Sequence, residues 1–175
     1  MKYLDCISVK NMRESDRMTI EKYVSGRTLM YRAAMGVFRV ANWHGEIAIA
    51  VGGGNNGGDG YALACILKRN DYTCRIVKLS VDINSGMNGD TGEAETAVHS
   101  DITVTIGYVK RGLVSPNAAR YMKRLVVADI GIVLAKEEEK LVSADADIQP
   151  KDGCIIAPDY LVMEPINVSH EELPN

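Results

Sequence analysis

The chain has 175 residues, 46% of them hydrophobic and 25% charged, with a formal net charge of −3. That length suits one domain with a real core, there is no basic excess to form a nucleic-acid surface, and no apolar run is long enough to span a bilayer. The four cysteines, Cys6, Cys65, Cys74 and Cys154, form no CxxC pair, and Met1–Cys6 lacks a leader core. Buried thiols in a reducing, cytoplasmic compartment are therefore expected.

Residues Lys10 to Tyr23 read as a first helix, with Met12, Met18, Ile20 and Tyr23 among its apolar positions. A second helix starts near Ser25 and runs through Leu29, Met30, Ala33, Ala34, Val37, Phe38 and Ala41, with Ser25 or Thr28 as its cap and His44-Gly45 as its end. A strand from Glu46 to Val51 follows. Next comes Gly52-Gly53-Gly54-Asn55-Asn56-Gly57-Gly58-Asp59-Gly60, and then a helix from about Gly60 to Arg69.

A glycine-rich turn between strand and helix lets backbone N–H groups approach a phosphate, helped by the positive end of the helix. No Lys-Ser/Thr follows the glycines and the spacing is not GxGxxG, so neither usual phosphate loop is matched. The unusual feature is polar chemistry inside the glycines: Asn55, Asn56 and Asp59 offer two amides and a carboxylate for a hydroxyl, a carboxamide or a hard cation. The plainer alternative is a glycine-rich connection in which Asp59 serves the helix N-terminus.

Asn70-Asp71 is a turn, and Thr73 to Leu79 is a second strand, which completes a βαβ unit. Val81-Asp82-Ile83-Asn84-Ser85-Gly86-Met87-Asn88-Gly89-Asp90-Thr91-Gly92 reads as a strand end and a loop. Ligands of open α/β sheets sit at such carboxyl ends, where Asp82 is placed. Ser100 to Ile106 alternates as a strand, with Lys110 just beyond it, and Leu125 to Ile132 closes the pattern with another. Lys136 to Lys140 reads as a solvated charge run. The rest, with strand-like pieces at 154–156 and 160–163, shows no chemistry, and His170 beside two glutamates reads as surface.

Gly52 to Gly60 resembles the G-x-G-N-N-G-G-D-G signature of the NAD(P)H-hydrate epimerases, the YjeF N-terminal domain family. Val81 to Gly92 resembles that family's V-D-I-P-S-G-x-N-x-D-T-G, with Asn84 in place of proline. Residues 100–112 resemble A-D-x-T-V-T-F-x-x-x-K-x-G, and 126–132 resemble V-V-x-D-I-G-I. The resemblance covers residues 1–134, leaving 135–175 as an extension of unknown role. It implies a Rossmann-like three-layer α/β/α sandwich with a mostly parallel sheet and two N-terminal helices.

The activity implied is isomerisation between the R and S forms of NADHX and NADPHX, the hydrated nicotinamide cofactors. Asp82 would be the acid–base group and Lys110 an electrostatic partner. Substrate would be held by Asn55, Asn56, Gly57, Gly58, Asp59 and Asp82, potassium by Asn56 and Ser85. A homodimer is expected, with no nucleic acid or membrane partner. The alternative is a catalytically impaired ligand-binding or scaffold module, a class that in this family includes an RNA-decapping enhancer.

Two departures stand out. The family helix L-M-E-N-A-G reads Leu29-Met30-Tyr31-Arg32-Ala33-Ala34, so Arg32 faces either a phosphate or solvent. Arg75–Ser80 also runs straight into Val81, although a parallel crossover needs a dozen or more residues. Either the chain is a shortened relative, or a stretch is missing from the sequence as written. Without the central strands a doubly wound sheet exposes apolar edges, which favours the second.

Overall fold

The computed structural model describes residues 3–51, 54–78, 86–142, 154–158 and 161–174. Strand β1 (Tyr3–Ile7) leads into helices α1 (Val9–Lys22) and α2 (Gly26–Val40). Both begin at serine caps: Asn11 N donates to Ser8 Oγ at 3.2 Å and Thr28 N to Ser25 Oγ at 3.2 Å. The cap of α2 is the Ser25 expected, but the helix ends at Ala41. Gly45, with φ +64°, instead makes the turn that follows.

Helix α1 buries a polar stripe, Asn11, Ser15 and Thr19, while the expected core residues Ile20 and Tyr23 are 46% and 62% exposed. The reason lies in what packs there. The stretch 133–136 is irregular backbone, and its polar groups need partners when covered. Asn11 Nδ2 donates to Lys136 O at 2.7 Å. Ala135 N donates to Ser15 Oγ and Val133 N to Thr19 Oγ1, each at 2.9 Å.

Strands β2 (Ile47–Val51) and β3 (Cys74–Lys78) flank helix α3 (Gly54–Arg69) and pair in parallel, from Ile47 opposite Cys74 to Val51 opposite Lys78. This is the βαβ unit expected, except that α3 starts at Gly54 and not near Gly60. Glycines lower helix stability by about 1 kcal/mol each, yet close packing requires them here. A Cβ on Gly60 would lie 2.5 Å from Val51 Cγ1, and one on Gly58 would meet the Met30 thioether, 2.8 Å from its sulfur.

The next strands are β4 (Ser100–Ile106), β5 (Val109–Lys110), β6 (Met122–Asp129), β7 (Glu139–Val142), β8 (Cys154–Ile156) and β9 (Val162–Asn167). Parallel ladders join them in the order β4-β6-β9, and a further sheet runs β5-β1-β7-β8 with β1 and β7 antiparallel. Three helices and mostly parallel strands agree with the Rossmann-like α/β expectation. The sheet is nevertheless divided: among the described residues β2 and β3 hydrogen-bond only to each other. Apolar side chains of β3 reach solvent, Ile76 at 40% and Val77 at 38% exposure. The core lies instead around Leu125, Val126, Leu141 and Ile7, all fully buried.

Residues after 135 are built into the same body. Strand β9 extends the β4-β6 ladder and β7 pairs with β1. The charge run is not simply solvated: Ser8 N donates to Glu138 at 2.7 Å, Arg111 pairs with Glu138 at 3.2 Å and Glu139 at 2.6 Å, and Lys140 pairs with Asp5. Arg32 meets neither a phosphate nor solvent. It is buried, donating to Glu171 O at 2.9 Å and Ile130 O at 3.2 Å and pairing with Glu172 at 3.3 Å, which straps the last residues across α2. Cys65 is exposed, against expectation, because it lines an open groove between α2 and α3, and all four thiols are free. Among the described residues no helix is long and apolar enough to cross a membrane.

Candidate active site

A cavity of 630 Å³ opens between α1, α2, α3 and the carboxyl end of β4. Two carboxyl groups and an ammonium line it, each from a different element: Asp16 from α1, Asp59 from α3 and Lys110 from β5, and beside these three groups lies the guanidinium of Arg27 from α2. Apolar residues such as Met12, Leu29, Met30 and Ile132 make up much of the remaining wall. Apolar walls around few polar groups are the usual composition of a small-molecule site.

The environment tunes all three groups. Burial pushes the Asp59 carboxyl from its ordinary 3.8 up to about 6, and the negative charge of Asp16 adds to the rise. Burial also raises Asp16, opposed by the positive charge of Lys110. The Lys110 ammonium is pushed down to about 8 by burial, with Asp16 working against the drop. Its Nζ donates to Ile106 O at 2.6 Å and to Thr105 Oγ1 at 3.2 Å, which fixes it at the rim of β4. Near pH 6 the Asp59 carboxyl is partly protonated while Lys110 remains an ammonium, so the cavity can offer an acid and a positive charge together.

The sequence motifs meet around this site. The Asn88–Gly92 turn is closed by its own side chain, with Asp90 N and Thr91 N donating to Asn88 Oδ1 at 2.9 and 3.1 Å. Asp90 Oδ1 then accepts from Val9 N at 2.7 Å, tying the turn to the start of α1. Gly112 lies beneath it, donating to Gly89 O at 2.8 Å. A Cβ there would sit 2.5 Å from Asn88 O, so the glycine two residues after Lys110 is needed for close approach.

Of the residues expected at the site, Lys110 and Asp59 come together. Gly57 and Gly58 lie in the early turns of α3, Gly57 buried and Gly58 beneath Met30. Asn55 and Asn56 belong to the first turn of that helix, and their side chains, like Asp82 and Ser85, lie outside the described residues. Asp59 is past the first turn, so it does not serve as the cap of α3. The residue that sequence reading missed is Asp16. Its signal was weak, a charged position on a helix whose apolar spacing had already been used to choose a buried face. An amide and a hydroxyl from Asn56 and Ser85 are of the right chemistry for a hard cation. Two neutral oxygens, one of them on the positive end of a helix, do not make a potassium site alone. Among the described residues no three His, Cys, Asp or Glu side chains cluster as metal ligands.

Fold and cavity together define a Rossmann-like α/β protein with a cavity at the carboxyl end of β4. Residues 26–79 and 75–112 match the model of the YjeF-related protein N-terminus. The chain belongs to that family. It is 41% identical over 80 residues to an NAD(P)H-hydrate epimerase of Lentilactobacillus buchneri, covering 45% of this chain and 35% of the relative. A bifunctional NAD(P)H-hydrate repair enzyme Nnr of Pyrobaculum aerophilum is 50% identical over 56 residues, 31% of this chain and 11% of that protein. One of the same name from Coxiella burnetii is 25% identical over 198 positions, 70% of this chain and 41% of the relative. The chain thus spans less than half the length of these curated relatives. The aligned 198 positions exceed the 175 residues of the chain, and residues 75–79 fall in both matched stretches. The overlap lies just before Ser80-Val81, where one motif runs straight into the next.

Proposed function

We propose that this protein is an NAD(P)H-hydrate epimerase, an isomerase that interconverts the R and S forms of NADHX and NADPHX. The observation that carries the reading is the convergence of Asp16, Asp59 and Lys110 on one cavity, in a chain whose relatives bear that name. The reacting carbon bears a hydroxyl next to the ring nitrogen. A carboxylic acid gives its proton to that hydroxyl, which leaves as water while the nitrogen lone pair forms a C=N bond. Water then adds to the opposite face and a carboxylate takes its proton, so atoms and charge balance over the cycle. Asp59, with its carboxyl raised to about 6, is the acid in this scheme, and Asp16, whose rise by burial is opposed by the charge of Lys110, is the base. The return reaction exchanges the two roles.

Asp82 enters the proposal by its motif, as a third acid–base candidate, and Asn55 through Asp59 as the segment that holds the substrate. Potassium at Asn56 and Ser85 and a homodimer in the cytoplasm complete the reading, and no step is routed through the ion. The test is conversion of R-NADHX to its S form, followed by chromatography, for the wild type and for Asp16→Asn, Asp59→Asn and Asp82→Asn. Wild-type conversion no faster than buffer sinks the enzyme reading. One observation favours the second reading, a binding module: among the described residues β2 and β3 form a separate pair with apolar side chains in solvent. A chain that binds the hydrate without converting it would establish that alternative.

A further inference from the structure

A second cavity, of 390 Å³, lies beside the candidate active site, in the groove between α2 and α3. From α3 it takes Gly58, Tyr61, Cys65 and Arg69 among others, a stripe spaced at three and four residues. At 1.5 Å per residue that stripe runs roughly 16 Å along one helix face. From α2 come Arg27, Met30 and Tyr31, and the far wall is Leu173-Pro174. That wall is anchored, because Arg32 and Arg39 hold Glu171 and Glu172 just before it.

Three features distinguish this groove from an ordinary furrow between helices. It carries two arginines and two tyrosines and no carboxylate. Among the described residues neither Arg27 nor Arg69 has an ion-pair partner. The groove is also continuous with the active-site cavity, since Arg27 and Met30 line both. At their junction the Met30 side chain packs on Gly58, where any larger residue would collide with it. A flexible thioether is the kind of partition a ligand can displace.

We infer that this groove takes the adenosine diphosphate half of the dinucleotide whose nicotinamide end lies in the Asp16–Asp59–Lys110 cavity. Arg27, at the junction, meets the pyrophosphate, for which a guanidinium fork is well matched. Tyr31 and Tyr61 offer aromatic faces to the base, and Arg69 supplies positive charge at the far end. A volume of 390 Å³ falls within the range of about 300–1,000 Å³ typical of small-molecule sites. The inference rests on the epimerase reading for the identity of the other half, but not for the groove itself.

The test is calorimetric titration of the full chain with ADP, with adenosine and inorganic pyrophosphate as separate arms, for the wild type, R69E and Y61A. Arg69 and Tyr61 are both exposed, so these variants keep the fold, which a thermal melt checks. ADP is expected to bind the wild type. R69E should weaken it about tenfold, the worth of one charge-assisted contact, and Y61A should weaken ADP and adenosine but not pyrophosphate. Equal ADP affinity in all three proteins, no ADP binding, or pyrophosphate binding as tight as ADP would overturn the groove. Epimerisation is measured in parallel with R-NADHX. If conversion proceeds at an unchanged KM in R69E, the groove falls and the epimerase stands. If ADP binds in an arginine- and tyrosine-dependent way but nothing is converted, the epimerase falls and the groove stands.

Discussion

Replacing Asp59 with asparagine should remove activity and at the same time stabilise the protein. The carboxyl is raised from 3.8 to about 6 by burial first and by Asp16 second. At 1.36 kcal/mol per pKa step this is a penalty of roughly 3 kcal/mol on the charged form. Among the described residues no hydrogen bond to the Asp59 side chain offsets it. The folded state holds the proton more tightly than the unfolded state, so wild-type stability falls as pH rises from about 4 to about 6 and stays low above that. Asparagine has the same shape and no charge to desolvate. Allowing for water that enters an open cavity, D59N should gain about 1–3 kcal/mol at pH 8, or roughly 3–9 °C in Tm for a chain of this size. The gain should vanish below about pH 4, where wild-type Asp59 is neutral as well. Urea denaturation at pH 4 and pH 8 measures both ends. A D59N protein that is no more stable than wild type at pH 8, or whose gain persists at pH 4, would refute the claim that a desolvated carboxylate sits in this cavity.

Activity itself should respond to the same proton. With Asp59 as the acid, kcat/KM for R-NADHX falls as pH rises through about 6, and falls again near 8 as Lys110 loses its charge. A profile flat from pH 5 to 9 contradicts the assignment. Lys110→Met should lower kcat by about 10²-fold or more, since it leaves Asp16 without its counter-charge, and the rate of R-NADHX turnover reads this directly. Arg32→Met should cost about 2–4 kcal/mol in urea denaturation, because Ile130 O and Glu171 O lose their donor. Gly60→Ala should destabilise by more than 1 kcal/mol in the same assay despite alanine's better helix propensity, because its methyl would meet Val51.

Local features were readable from residues alone. The cap at Ser25, the βαβ unit around the glycine loop and the alternation of β4 all depend on near neighbours in the chain, as did the family signature at 52–60. Lys110 and Asp59 were recognisable for the same reason, each inside a short motif of definite spacing. What the sequence did not show is anything set by a partner far along the chain. Asn11, Ser15 and Thr19 looked like the wrong face of α1, because the irregular backbone they satisfy lies more than a hundred residues away. Asp16 carried no local mark, since its significance is the charge of Lys110 and the carboxyl of Asp59, delivered by two other elements. Arg32 read as facing either a phosphate or solvent, because the chain's last residues, which fold back over it, are far away in sequence. Helical glycines likewise could not be told from a flexible loop by composition. Their reason is the Val51 and Met30 side chains that pack against α3. Spacing and backbone preference belong to the sequence, but burial, and with it the proton affinity of a carboxylate, belongs to whatever the tertiary fold brings alongside.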